Sequence, residues 1–204
     1  MHKEILTEEQ LELLSFVKEF SKDFVLVGGT AVALHLGHRR SIDFDLFSYH
    51  DFDNQKIKRK ILRLVRKIDK TYISEQGEYT LMVNNVKISF FNYPYKIEAS
   101  ERLDKKIRLP DLLTLAAMKA FALGHRSKWK DYIDLYFIIK NHYSVEEISG
   151  KGKEIFGNEF NGRIFREALA YFGDMNYAEK IIFMPGFEIN DKKIKQELTK
   201  FSLI

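Results

Sequence analysis

Two aspartates separated by one phenylalanine are the residues of this chain best suited to chemistry. Asp43 and Asp45 lie in the apolar run Ile42 to Phe47, where a charged side chain costs free energy unless something compensates it. In a β-strand, residues i and i+2 point to the same side, so the two carboxylates would lie side by side while Phe44 and Leu46 face the core. A divalent cation would relieve their mutual repulsion, and Mg²⁺ prefers one or two carboxylates together with phosphate and water oxygens. The pattern predicts a site for Mg²⁺ or Mn²⁺ on this pair.

A glycine pair upstream of the aspartates could bind phosphate. Gly28 and Gly29 follow the apolar run Phe24 to Val27, and Thr30 begins a short predicted helix that Gly37 ends. Glycine lets the backbone approach a ligand closely, and Thr30 can cap the helix. Free N–H groups at a helix start, together with the helix dipole, hold a phosphate.

Two arginines lie between the glycines and the aspartates. Arg39 and Arg40 would supply forked cations for the phosphates of the same nucleotide. Each motif also has a simpler interpretation: a glycine pair can be a turn, a D-x-D pair a solvated strand edge, and an arginine pair a surface feature. Their joint occurrence in one strand, turn, helix, turn, strand unit favours a nucleotide site.

The predicted elements that position these residues are both strands and helices in the first half of the chain and only helices in the second half. We predict a capped helix from Thr7 to Ser21, strands over 24–27 and 42–47, helices over 30–36 and 53–70, a three-stranded antiparallel meander over 72–91, a polar connection from Pro94 to Leu109, helices over 111–123 and 129–139, and a mostly helical remainder from 145. This order predicts an α+β fold with an α/β-type core. A mixed sheet with helices packed on it would occupy residues 1–100, and a helical part, residues 101–204, would complete the active-site cleft.

Composition limits the class of protein. The 204 residues are 45% hydrophobic, with 33 Lys and Arg against 29 Asp and Glu and a pI near 9.0, which is compatible with a polyanionic partner. The absence of cysteine excludes disulfides and thiolate metal sites. With no apolar run near the ~18 residues of a membrane span, we expect a soluble, cytoplasmic protein with no membrane contact. The histidines lack metal-ligand spacing, and His38 is assigned to a loop where it could face substrate.

Four stretches of the sequence resemble a known family. "GGT", "HRRSIDFDLF", "VKISFFNYPY" and "DLLTLAAMKAFALGHRSKWKDYIDLYFII" occur in the order typical of the AbiEii/AbiGii toxin family of nucleotidyltransferases, within the polymerase-β-like superfamily. The resemblance extends from roughly Phe24 to Ile139. The glycine and D-x-D motif belongs to the whole superfamily, whereas Lys119 and the Lys130-Asp131-x-x-Asp134 motif make the match specific to the family.

The resemblance implies a function. It implies a bound NTP with Mg²⁺ and transfer of a nucleoside monophosphate to an acceptor hydroxyl. Family members include toxins of bacterial toxin–antitoxin or phage-defence systems, and some modify tRNA 3′ ends, so an RNA or tRNA acceptor and a cognate antitoxin are the implied partners. The implied catalytic residues are Asp43, Asp45, Lys119 and Asp131, and the implied nucleotide-binding residues are Gly28, Gly29, Thr30, Arg39, Arg40, Ser41, Lys119 and Asp134.

One position departs from the wider superfamily. Most of its polymerases carry a third carboxylate on a neighbouring strand, often acting as base, and the corresponding residue here is Ser89, which cannot accept a proton at neutral pH. Asp131 is then the best candidate for the general base. The alternative is that Asp131 and Asp134, three residues apart on one helical face, only form intrahelical ion pairs.

The acceptor and the activity itself are left open by the sequence. An RNA 3′ end, a protein side chain or a small molecule of the aminoglycoside type could each receive the nucleotide. A basic helix favours RNA, although a solvated helix face is the plain alternative for its cations, which are Lys56, Lys58, Arg59, Lys60, Arg63, Arg66 and Lys67. A second hypothesis is a nucleotide-binding or partner-binding module that retained the pocket and lost turnover.

Overall fold

A mixed five-stranded sheet forms the centre of the molecule. The computed structural model describes residues 1–65 and 67–204. The strands, in the order in which they lie across the sheet, are β1 (Val25–Val27), β2 (Asp43–Ser48), β5 (Val86–Asn92), β4 (Glu78–Val83) and β3 (Lys70–Glu75). Strand β2 is antiparallel to β1 and parallel to β5, and β3, β4 and β5 form the predicted antiparallel meander. The expectation of a mixed sheet in an α+β fold is therefore confirmed.

Helices precede, interrupt and follow this sheet. They are α1 (Glu8–Glu12), α2 (Leu14–Phe20), α3 (Gly28–Leu36), α4 (Asn54–Leu64), α5 (Leu112–Leu123), α6 (Trp129–Asn141), α7 (Val145–Phe156), α8 (Gly162–Ala170) and α9 (Asp191–Ser202). Buried side chains from the sheet and from the later helices join one hydrophobic core. No helix in the described part of the chain has the length and apolar character needed to cross a membrane.

Local capping signals place several helix ends as predicted. The Thr7 side chain accepts the Gln10 N–H in a capping box, and Asp111 accepts the Thr114 N–H at 2.7 Å. Gly37 ends α3 in the left-handed conformation with φ 69°, which glycine adopts without steric cost. The tight turn between β4 and β5 uses Asn84 and Asn85, both with positive φ.

Other boundaries differ from the prediction. The first predicted helix is divided at Leu13 into α1 and α2. The basic helix predicted over 53–70 ends at Leu64 because Val65 adopts an extended backbone (φ −128°, ψ 153°), and Lys70 already belongs to β3. Arg66, one of the predicted basic residues, lies outside the described residues.

Two segments have structure that the sequence did not predict. The polar connection before α5 contains a two-stranded hairpin of β6 (Glu101–Leu103) and β7 (Ile107–Leu109). Strands of three residues are too short to display a period of two over several residues. Between α8 and α9, residues 171–190 are irregular rather than helical. We call residues 174–190 the strap.

Candidate active site

Asp43 and Asp45 share one face of β2. Burial alternates along the strand, with Phe44 and Leu46 fully covered and the two aspartates partly exposed, as the alternation of a strand requires. Asp43 Oδ2 lies 3.0 Å from the Lys87 ammonium on β5. Burial, and then the charge of Asp43, raise the pKa of Asp45. The two carboxylates are thus close enough to repel each other, as the sequence predicted.

Gly28 makes room for one of these carboxylates. Its φ is +71°, and a Cβ placed on it would lie 2.1 Å from Asp45 Oδ2. A side chain at this position is therefore excluded both by backbone conformation and by space. The glycine admits the protein's own carboxylate to the start of α3, in addition to any ligand that approaches there.

Gly29 and Thr30 also pack against residues of the predicted site. A Cβ on Gly29 would lie 2.8 Å from Arg39 Nη2 and 3.2 Å from Ser41 Oγ. Helix α3 begins at Gly28, so Thr30 lies inside the first turn and is not the cap that we predicted. Its hydroxyl instead lies within hydrogen-bond distance of the Asp43 carbonyl and, at 2.9 Å, of Ser41 Oγ. The first turn of α3 is thereby fastened to the start of β2.

The second predicted motif forms a buried charge network. Lys119 on α5 contacts Asp131 Oδ1 at 2.5 Å and Asp134 Oδ2 at 2.7 Å, both on α6. Arg126, in the loop between these helices, reaches Asp131 Oδ2 at 3.1 Å. Both aspartates are fully buried. The ion pairs join neighbouring elements, so the alternative of pairs within one helix does not describe this motif.

Asp134 is surrounded by donors from the loop after α3. Arg39 Nε lies 2.7 Å from Asp134 Oδ1 and Arg39 Nη2 lies 2.8 Å from Oδ2, which is a bidentate pair. His38 Nε2 donates to Oδ1 at 2.7 Å. The charges of Arg39 and Lys119, acting against burial, hold the pKa of Asp134 well below its ordinary value. The fully buried Asp134 thus links the two motif regions.

These contacts correct the roles predicted for Arg39, Asp134 and His38. Arg39 is 3% exposed and Asp134 is fully buried, so neither presents a free group to a nucleotide. His38 is likewise fully buried and does not face substrate. The guanidinium of Arg40 donates to the Leu6 carbonyl at 3.3 Å, in the N-terminal segment. We therefore assign Arg39 and Asp134 to anchoring the site rather than to binding phosphates.

Asp131 is poorly placed to act as a base. Burial alone would raise its pKa, but Lys119 and Arg126 outweigh burial and lower it. Asp131 is also covered completely, with Lys119 on one oxygen and Arg126 on the other. A completely covered carboxylate cannot reach the hydroxyl proton of a substrate.

The charges of the second motif act on the aspartates of the first. Lys119 and Lys130 both lower the pKa of Asp45 electrostatically, although burial and Asp43 raise it by more. Lys119 itself is 6% exposed, and the attraction of Asp131 and Asp134 outweighs burial and raises its pKa. Three cations (Lys119, Arg126 and Arg39) therefore accompany two carboxylates beside the Asp43 and Asp45 pair, which leaves an excess positive charge.

Two residues close to these motifs were missed by sequence reasoning. Lys87 pairs with Asp43 and is the register partner of Asp43 in the parallel ladder, with Ser89 beside Asp45. Its position two residues before Ser89 on the same strand face was a usable signal. Glu179, on the strap, contacts Lys130 at 2.5 Å. Its position more than 40 residues beyond the last motif gave no such signal.

The donor set of β2 fits a hard divalent cation. Two carboxylates two residues apart on one strand face are the kind of ligand that Mg²⁺ or Mn²⁺ takes together with phosphate oxygens and water. Within residues 1–65 and 67–204, no group of three or more His, Cys, Asp or Glu side chains could hold a metal ion. Additional oxygen ligands would therefore come from substrate and solvent.

Comparison with solved structures agrees with this architecture. The chain is similar to a putative nucleotidyltransferase from H. pylori (TM-score 0.59, 14% identity, 96% of this chain and 92% of that chain covered). It is also similar to MenT4, a nucleotidyltransferase toxin from Mycobacterium tuberculosis H37Rv (TM-score 0.57, 12% identity, 95% and 82% covered). At these identities the likeness shows a shared fold.

Sequence comparison extends over most of the chain. An uncharacterized protein of Aquifex aeolicus (strain VF5) is 32% identical over 176 residues, which cover 83% of this chain and 84% of that protein. The family profile described as nucleotidyl transferase AbiEii toxin, type IV toxin–antitoxin system, matches residues 13–182. That match includes the glycine pair, both aspartates of β2, and the buried network of α5 and α6. The chain therefore belongs to the AbiEii family of nucleotidyltransferase toxins of toxin–antitoxin systems.

Proposed function

We propose that this protein transfers a nucleoside monophosphate from an NTP to an acceptor hydroxyl. The observation that carries the proposal is the partly exposed Asp43 and Asp45 pair, placed beside the glycine start of α3 and close enough to Lys119 of α5 and Lys130 of α6 for their charges to act on Asp45. An anionic nucleotide would lie between a metal-binding face and a positively charged one. Such an arrangement is the general solution for phosphoryl and nucleotidyl transfer, where positioning and charge stabilisation supply most of the catalysis.

The metal would be held by Asp43 and Asp45. When bound, Mg²⁺ or Mn²⁺ supplies Lewis-acid stabilisation of the negative charge that develops on the phosphates. Lys87 pairs with Asp43 at 3.0 Å and neutralises part of the pair's charge. We expect its ammonium to contact phosphate instead once the carboxylates hold a cation.

The remaining residues would position the nucleotide. Free N–H groups at the start of α3, formed by Gly28 and Gly29, point their dipole toward a bound phosphate. Lys130, whose side chain is 17% exposed and pairs with Glu179, acts electrostatically on Asp45 and would contact the triphosphate. The buried network of Lys119, Asp131, Asp134 and Arg39 would fix the position of α5 and α6 relative to the loop after α3.

The proposed acceptor is an RNA hydroxyl, and the proposed protein partner is a cognate antitoxin. The basic side chains of α4 support the choice of RNA, since Lys56, Lys58, Arg59 and Arg63 are all exposed on this helix. A polycationic face attracts phosphates without reading sequence. The antitoxin follows from membership of a toxin–antitoxin family.

Label transfer tests the proposal directly. The protein is incubated with each α-labelled NTP, Mg²⁺, and either total cellular RNA or lysate, and a gel identifies the macromolecule that gains label. We expect labelling of an RNA species with one or more NTPs, dependent on Mg²⁺ and abolished in Asp43→Asn. If no species gains label and no pyrophosphate is released while the NTP still binds, the protein is a nucleotide-binding module, in keeping with Ser89 at the third carboxylate position.

A further inference from the structure

The strap runs from the start of α6 to the loop after α3. At one end Asn176 pairs with the start of α6: its N–H donates to the Ser127 carbonyl at 2.8 Å, and its carbonyl accepts the Trp129 N–H at 3.0 Å. At the other end the Ile182 carbonyl accepts the Arg40 N–H at 2.8 Å. The backbone is therefore fixed at both ends of a span of five residues, and Glu179 lies at the middle of that span.

Aromatic packing holds the same segment in place. Tyr177 packs on Trp129 with 5.6 Å between ring centroids, and Phe183 and Phe187 pack on Phe137 of α6 at 6.3 and 5.6 Å. The Met184 N–H donates to the His38 carbonyl at 3.0 Å. The position of Glu179 is thus determined by contacts on both sides and is not that of a free loop tip.

Glu179 places a carboxylate beside two lysines, Lys130 of α6 and Lys128, the residue before this helix. Its Oε2 lies 2.5 Å from Lys130 Nζ and its Oε1 lies 4.0 Å from Lys128 Nζ. Its charge also acts on Lys87, the partner of Asp43, and on Arg39. The side chain is 45% exposed, so a macromolecule or small molecule entering the cleft can reach it.

The other candidates for a proton acceptor are excluded by position or chemistry. Ser89 is 3% exposed beside Asp45 and is a hydroxyl. Asp131 and Asp134 are completely buried, and each is paired with at least two donors. Asp43 and Asp45 are committed to the metal in the proposed function. Glu179 combines solvent access with proximity to the cations around this pair.

We propose that Glu179 is a catalytic residue that accepts the proton of the acceptor hydroxyl, a role that rests on the proposed nucleotidyl transfer. In the step, the acceptor oxygen forms a bond to the α-phosphorus and the bond from the α-phosphorus to the bridging oxygen breaks, releasing pyrophosphate. The hydroxyl proton passes to the Glu179 carboxylate and then to water. A residue of the strap thereby replaces the carboxylate that is missing at Ser89.

The surroundings of Glu179 keep it ionised at neutral pH. Burial raises its pKa, but the hydrogen bond and charge of Lys130, followed by Lys128 and Lys87, lower it by more. Lys128 and Lys130 face it from α6, Lys87 from β5, and Arg39 from the loop after α3. The carboxylate is therefore deprotonated before the reaction, as a proton acceptor must be.

Substitution of Glu179 tests this role through the pH dependence of the rate, which the loss of a merely structural contact would not change. Using the RNA species labelled by the wild-type protein, single-turnover rates are measured from pH 6 to 9 at saturating NTP for Glu179→Gln. We expect a loss of about 10²–10⁴-fold at neutral pH and a rate that rises about tenfold per pH unit as hydroxide replaces the carboxylate. The wild-type rate and the smaller rate of Glu179→Asp are expected to be nearly independent of pH in this range. NTP affinity, measured by titration, should not fall.

Glu188→Gln is the matched control on the same strap. Glu188 is exposed and accepts the Gly186 N–H at 2.8 Å, so its substitution should leave both the rate and the pH profile unchanged. Equal rates for the two glutamine variants would overturn the proposal. Tighter NTP binding by Glu179→Gln with unchanged turnover would also overturn it and would make Glu179 a competitor of the triphosphate for Lys130. If the wild-type protein labels nothing, the proposed function itself fails.

Discussion

At the scale of single residues, the site contains one position that has no room for a side chain and one position whose charge is unfavourable for folding. Gly28 has no Cβ because Asp45 Oδ2 occupies that space. Asp45 carries a charge that burial and Asp43 disfavour. Residues that are unfavourable for the fold and placed in a cleft are typical of functional sites.

Gly28→Ala should damage both the fold and the site. Its Cβ would collide with Asp45 Oδ2 and would have to adopt φ +71°, so we expect a loss of about 1–3 kcal/mol in the free energy of unfolding. Urea unfolding measures the loss. Gly150→Ala in α7 is the matched control, since a Cβ there meets nothing within 4 Å, and alanine should stabilise the helix by about 0.5–1 kcal/mol. Equal effects of the two changes would contradict this account of Gly28.

Asp45→Asn should raise the stability of the metal-free protein while abolishing transfer. The substitution removes a partly buried charge that Asp43 repels, and the melting temperature in EDTA should rise by a few degrees, since roughly 1 kcal/mol shifts Tm by about 2–4 °C at this size. Metal-dependent transfer should fall at least about 100-fold. Asp43→Asn is the control, because it also removes the ion pair with Lys87 and should not raise Tm. A lower Tm for Asp45→Asn would show that this charge is not a cost to the fold.

At the scale of elements, features encoded within a few neighbouring residues could be predicted from the sequence, whereas contacts between residues distant along the chain could not. The alternation around Asp43 and Asp45, the Gly37 stop and the Asn84–Asn85 turn are each encoded within a few residues, and each was predicted. The bidentate pair of Arg39 and Asp134 joins residues 95 positions apart. Periodicity and spacing carry no information on such a pairing, so Arg39 was wrongly expected to bind phosphate.

The Arg39–Asp134 pair should show strong coupling in a double-mutant cycle. Asp134→Leu alone leaves the buried Arg39 guanidinium without a carboxylate, and Arg39→Met alone leaves the buried Asp134 with only Lys119 and His38. Each change should cost about 3–5 kcal/mol. The double variant should lose less than the sum of the two single changes, because neither charge is then left alone. Urea unfolding of the four proteins gives the coupling energy. Strictly additive losses would mean that the contacts of Asp134 with His38 and Lys119, rather than the pair, stabilise the junction.

Acid should weaken the junction between α5 and α6. The folded-state pKa values of Asp131 and Asp134 are lowered by Lys119, Arg126 and Arg39. Groups with lowered pKa contribute stability that is present above the ordinary carboxyl pKa and is lost as the pH falls toward the folded-state value. We expect the free energy of unfolding to decline as the pH drops below about 4. The Arg39→Met, Asp134→Leu double variant should decline less steeply, and a steeper decline would contradict this explanation.

At the scale of the whole molecule, the resemblance predicted the family and the fold class. The residues that the C-terminal part adds to the site were found only from the structure. The chain after Ile139 contained no recognisable motif, yet it supplies the strap and Glu179. The strap is irregular, and it is held by backbone hydrogen bonds, isolated aromatic side chains and the ion pair of Glu179 with Lys130. None of these leaves a period in the sequence that could be used for prediction.

The basic face of α4 should affect the acceptor and not the nucleotide. Neutralising three exposed cations of α4 should raise the KM for an RNA acceptor and reduce the slope of log KM against log salt concentration by up to about 2, at roughly 0.7 per lost phosphate contact. NTP affinity should not change. The variant carries serine at Lys58, Arg59 and Arg63, and the control of equal charge carries serine at Lys192, Lys193 and Lys200 of α9. Equal salt slopes for both variants would exclude α4 as the RNA-binding surface.

Because the strap is far along the chain, the ribosome makes it long after the glycine and aspartate residues of the site. Arg39 and Phe183 form a β-bridge although they are 144 positions apart along the chain. At a synthesis rate of about 5–20 residues per second, the ribosome makes the second partner roughly 7–30 s after the first. The aspartate strand and the glycine turn can fold during that interval, but the carboxylate of Glu179 cannot yet be present. If Glu179 accepts the proton as proposed, the nascent chain would form the Asp43 and Asp45 face before the residue that activates the acceptor has been made.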